Sequence, residues 1–137
     1  MKQLKAYHAL RQGGEKAAPF LLSALQDPKP DVRWYCAWAL GIIAPKGAAA
    51  ALLPLLKDGE RDVRAVAAWA LGRTGDAAAV PALIESIPDA DAQVRAAASI
   101  SLAALSGGVV KPFAEGDAEA LRAESEKWRK LWSERTK

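Results

Sequence analysis

The sequence predicts an all-α protein, a right-handed solenoid of paired helices closed by a C-terminal capping helix. A repeat and a composition carry that prediction. DVRWYCAWALG at residues 31–41 returns as DVRAVAAWALG at residues 62–72, one step of 31 residues. Val32, Val63 and Val94 keep the step, as do Arg33, Arg64 and Arg95, and Leu40, Leu71 and Leu102. Leu21, Leu52 and Leu83 fall on the same grid, with Leu25, Leu56 and Ile87, and with Asp27, Asp58 and Asp89. Pro19, Pro81 and Pro112 share it too, and Ala50 fills the gap. Self-similarity at such a period marks supersecondary units that stack on one another. The composition agrees: 51% of the 137 residues are hydrophobic, and much of that share is alanine, the best helix former.

Taken in chain order, residues 4–14 read as a partial leading unit, with a truncated second helix. Residues 15–45, 46–76 and 77–107 read as full units, and 108–137 as a cap, all in one domain over 1–137. Each full unit holds two helices. The first helices are expected over 17–26, 48–57 and 79–88, the second over 31–43, 62–73 and 93–105. Asp31 and Asp62 are positioned as N-caps, since a short acidic side chain satisfies orphan backbone N–H groups. Pro28, Pro30, Gly59 and Pro88 break the chain between paired helices.

The helical period then assigns faces to the second helices. Val32, Cys36, Ala39, Leu40 and Ile43 cluster on one side, and Val63, Ala67, Ala70, Leu71 and Thr74 on the same side one unit later. Neither stripe can be buried by its own helix pair, so the units must stack. The opposite side carries Trp34, Trp38 and Ile42, flanked by Tyr35. Its counterparts are Ala65, Trp69 and Arg73 with Val66, then Ala96, Ile100 and Ala104. Trp38, Trp69 and Ile100 thus form a row across the stack. Four aromatic side chains, each about 150–250 Å² and half exposed, would show a patch large enough to mark a contact surface.

In the tail, Leu121, Ser125, Trp128 and Trp132 give an apolar seam. It is expected to cap the open end of the third unit near Leu102 and Leu105, as stacked repeats require for solubility.

The unit Val-Arg-x-x-Ala-Ala-x-Ala-Leu-Gly, with its upstream Asp, resembles the short bacterial HEAT-like repeat, the type also found in phycobilisome lyases. The resemblance covers about residues 15–107 and implies three things. The second helices line a concave surface. The Asp and Arg of each unit form a hydrogen-bonded ladder between neighbours. The face bearing Trp34, Tyr35, Trp38, Ile42, Val66, Trp69, Arg73 and Ile100 binds a partner, with Arg73 as an orienting charge at the rim.

The expected function is a non-enzymatic module that holds a partner helix or peptide in this aromatic groove. A bilin-handling lyase or chaperone is the alternative that the resemblance allows, since stacked indoles suit a flat pigment. Self-association through the patch to give a homodimer is a further reading. Nucleic acid fits poorly: the net charge of +3 is spread along the chain, and Arg73 is the one basic residue at the groove positions. No motif calls for a cofactor. The single cysteine, Cys36, falls on the core stripe, and the lone histidine, His8, cannot build a multi-histidine metal site. No run of about 18 apolar residues exists, and the N-terminus lacks the long apolar stretch of a signal peptide, so a cytoplasmic location is expected.

Overall fold

A computed structural model describes residues 12–108 and 116–136. Most of the leading partial unit, His8 and Pro112 lie outside the described residues. Among the described residues there are seven α-helices and no strand. Helices α1 (Ala18–Ala24) and α2 (Pro30–Ile43) form the first unit. Helix α3 (Ala48–Leu52), which continues as a 3₁₀ turn over Leu53–Lys57, pairs with α4 (Arg61–Arg73). Helix α5 (Val80–Glu85), entered through a 3₁₀ turn at Ala77–Ala79, pairs with α6 (Ala92–Leu105). The tail forms α7 (Ala118–Arg135). Helix α4 packs against both α2 and α6, so the second helices make one row and the short first helices flank it. The architecture is an α-solenoid.

The boundaries differ from the expected ones for identifiable reasons. Pro19 and Pro81 sit in the first turns of α1 and α5, where a missing N–H costs nothing. The second unit carries Ala50 on that grid position and Pro54 instead, and its α-helix gives way to 3₁₀ geometry at Leu53. Asp31 and Asp62 do not cap. The N-cap residues are Lys29 and Glu60, and neither makes a side-chain cap bond. Their backbone N–H groups are instead taken by the preceding aspartates, Lys29 by Asp27 and Glu60 by Asp58, both at 2.9 Å. The helices therefore begin one residue earlier than expected, and Asp31 and Asp62 fall in the first turn, facing solvent. Of the three second helices only α6 is capped by an aspartate side chain: Asp91 accepts from Gln93 at 3.0 Å and Val94 at 3.2 Å.

The core lies between the two helix layers. Cys36, Ala39, Leu40, Val63, Ala67, Ala70, Leu71, Val94, Ala98 and Leu102 are all buried, whereas Val32, Ile43 and Thr74 of the expected stripes are only half-buried. Burial raises the Cys36 thiol above its ordinary pKa, with the Asp27 charge acting in the same direction, which suits a packing role.

The second helices approach closely because small residues face one another. A methyl group on Gly72 would collide with the Ser101 hydroxyl and lie 2.9 Å from the Ser101 Cα. The Ser101 hydroxyl donates to the Ala68 carbonyl at 2.6 Å, tying α6 to α4.

Across the turns runs the Asp–Arg ladder. Arg33 spans two units: its Nε and Nη2 donate to the Asp58 carboxylate at 2.8 and 3.0 Å, and its Nη1 donates to the Asp27 carbonyl at 2.8 Å. Arg64 repeats this with Asp89 at 3.0 and 3.3 Å and with the Asp58 carbonyl at 2.8 Å. Arg95 donates to the Asp89 carbonyl at 2.7 Å. The strong pairs thus join residues 25 apart rather than the Asp and Arg six apart, whose contact is through the backbone.

The tail caps the stack, but through the first-helix layer. Leu121, Ser125 and Trp128 are buried. Ser125 donates to the Ile84 carbonyl of α5 at 2.9 Å, and Arg129 lies 3.8 Å from Glu85.

Expectations follow from two features, the ladder and the end of α2. Asp89→Ala should cost about 1–3 kcal/mol in urea unfolding at neutral pH, because it strands the partly buried Arg64 and frees the Asp91 N–H. The Asp58 carboxyl adds a pH signature. Burial pushes its pKa up, but bonds from Arg33 and the Glu60 N–H more than offset this and hold it below 3.8. A lowered folded pKa gives stability that is complete above 3.8 and lost as pH falls through the folded value. The deficit of Asp58→Asn against the unaltered chain should therefore shrink on acidification below 3.8. Second, Ala44 ends α2 in the left-handed region at φ 47°, where the next unit places Gly75 at φ 71°. Ala44→Gly should raise stability by about 0.5–1 kcal/mol, read from the urea midpoint.

Candidate functional site

The groove is a product of helix register. On α2, Trp34 and Trp38 are one turn apart and stack, with ring centroids 6.3 Å apart and planes 7° from parallel. Tyr35 tilts against Trp38 at 5.7 Å and 49°. On α4 the residue in register with Trp34 is Ala65, and the residue in register with Trp38 is Trp69. The alanine leaves a gap, and Trp34, Trp38, Val66 and Trp69 surround it as a groove of about 340 Å³, with Asp62 and Gln93 at its edge. An adjoining recess of about 240 Å³ shares Trp34 and Asp62 and adds Asp31 and Glu60.

Trp69 owes its position to Gly41. A methyl group on Gly41 would fall 2.5 Å from Cζ3 of the Trp69 ring and 3.1 Å from the Ala70 Cα. At the far end of the groove Arg73 lies over the same ring, its Cζ 5.8 Å from the centroid, and its Nε donates to the Gly41 carbonyl at 3.3 Å. Arg73 is thereby held against Trp69, outside the groove lining.

The structure brings Trp34, Trp38, Val66 and Trp69 together in the groove lining, while Tyr35 lies against Trp38 and Arg73 against Trp69, both outside the lining. It does not bring Ile42 to the surface. Ile42 and Val66 are buried, at 6% and 7% exposure, and only Val66 still lines the groove. Ile100 is 66% exposed and stands outside the groove lining. The patch is smaller than expected: Tyr35 is 46% exposed, but all three indoles are partly buried and pack against the core. Asp62 and Gln93 were not singled out as groove residues. The signal was available, because Asp62, Ala65 and Trp69 stand at i, i+3 and i+7, one helix face.

A family model for HEAT repeats matches residues 2–62, 18–103 and 49–127, overlapping windows that together span most of the chain. The chain belongs to the HEAT-repeat family. A comparison with curated proteins returned no match. HEAT repeats commonly serve as protein-interaction scaffolds and are generally non-enzymatic. In this HEAT stack no described helix is long and apolar enough to cross a membrane.

The Gly41–Trp69 contact yields a prediction. Gly41→Ala should cost about 1–3 kcal/mol and shift the tryptophan emission, as the indole is displaced from α2. Gly72→Ala should cost at least as much and leave the emission nearer that of the unaltered chain, because it strikes Ser101 instead of an indole.

Proposed function

We propose that this HEAT-repeat chain is a non-enzymatic module that holds a helix or extended segment of a partner protein along the groove between α2 and α4. The observation that supports this reading is the three-indole groove itself. Trp34, Trp38 and Trp69 line a space of about 340 Å³ that the chain's own described residues leave open. Indoles in a desolvated recess are the side chains that dominate binding hot spots. An amphipathic partner lays apolar anchors into such a groove and leaves its polar side in water.

The scaffold is suited to that task. Trp34 is fixed by its stack on Trp38, and Trp69 by Gly41 beneath it and Arg73 above it. Little side-chain freedom remains to be lost on association, and that loss is one of the main costs of binding. No step of bond making or breaking is part of this reading.

Peptides selected from a display library on the unaltered chain test it. Their affinities should fall by about ten-fold or more on Trp38→Ala, with circular dichroism confirming an intact helical fold. Selected peptides that bind Trp38→Ala as tightly as the unaltered chain would overturn the reading.

A further inference from the structure

We propose that the gap over Ala65 takes one lysine or arginine side chain of the partner, with Asp62 seating its charged head. This rests on the groove reading above and names the chemistry of the occupant.

The geometry begins with three matching rows. Asp31, Trp34 and Trp38 share one face of α2. Asp62, Ala65 and Trp69 share the same face of α4, and Gln93, Ala96 and Ile100 that of α6. Each second helix thus offers a polar head, a middle position and a large apolar side chain, at i, i+3 and i+7. Only in the middle helix does an alanine separate a carboxylate from an indole while a second pair of indoles stands on the neighbouring helix. The result is a recess with apolar walls of Trp34, Trp38, Val66 and Trp69 and with Asp62 and Gln93 at its mouth.

A long cationic side chain matches that lining. Its methylene stem covers apolar wall while its head stays at the wet edge. Indole faces attract the cation in addition. A leucine would use the walls and leave the carboxylate unused, and a glutamate would meet Asp62 with like charge.

The charges already present do not fill the role. Arg73 is committed to the opposite end of the groove by the Gly41 carbonyl and the Trp69 ring. Arg61 is 72% exposed and reaches Asp62 at 4.0 Å and Asp91 at 3.7 Å, separations beyond hydrogen-bond range. Such exposed pairs contribute little and are readily exchanged. Asp31 and Glu60 line the adjoining recess and add to the negative field at the mouth. Together the three carboxylates outweigh the partial positive charges at the N-terminal ends of α2 and α4.

The test uses three fluorescein-labelled helical peptides with the same leucine anchors, differing at one central residue: lysine, norleucine or glutamate. Fluorescence anisotropy with the full chain at low salt reads the affinities. The lysine peptide should bind about three-fold tighter than the norleucine peptide, because Asp62 is 75% exposed, and the glutamate peptide more weakly than both. On Asp62→Asn the gap between lysine and norleucine should close, and it should narrow in high salt. Ala65→Leu, which fills the recess without changing charge, should weaken the lysine peptide by about ten-fold. Failure of the lysine peptide to bind, or norleucine binding as tightly as lysine, overturns the inference. If lysine and norleucine bind equally and both are lost on Trp38→Ala, the groove reading stands and the charge assignment alone falls. Binding indifferent to Trp38→Ala removes the groove reading with it.

Discussion

The second helices of this chain stand so close that one added methyl group on Gly41 or Gly72 would strike the neighbouring helix. That separation sets the rest. It places Trp69 over α2 and lets the Ser101 hydroxyl reach the Ala68 carbonyl. Glycine is used here for what it omits, at the points where the second helices approach. A wider spacing would leave voids along the row, which close-packed interiors do not tolerate.

The two faces of each second helix answer to different physics. On the packed side the same residue types recur at every step, because every unit meets a similar neighbour. On the open side Trp34 gives way to Ala65 and then Ala96, and Trp69 gives way to Ile100. The recess arises from that difference, since an alanine beside three indoles leaves room that a fourth indole would fill.

Much of this was legible in the sequence. The recurrence of Val32, Arg33 and Leu40 at one interval marks the unit, and the helical period marks the core stripe and the candidate groove. What escaped was set by neighbours that periodicity does not see. Angular position on an isolated helix puts Ile42 on the outside, but a helix flanked on both sides buries a wider arc than one stripe. The helix starts were misjudged at Asp31 and Asp62 because Asp27 and Asp58 already engage the preceding N–H groups. The break in α3 followed from Pro54, which lies off the repeat grid. The ladder was foreseen as a contact between units, while its strong bonds, from Arg33 to Asp58 and from Arg64 to Asp89, needed coordinates to assign.

Asp58 works for two masters. One of its oxygens shapes the turn that starts α4, and the carboxylate also grips Arg33 of the unit before. A unit that comes loose therefore takes the start of its neighbour's helix with it. Frayed repeats would be expected to unzip together, and a partner clasped at α2 and α4 would steady units it never touches.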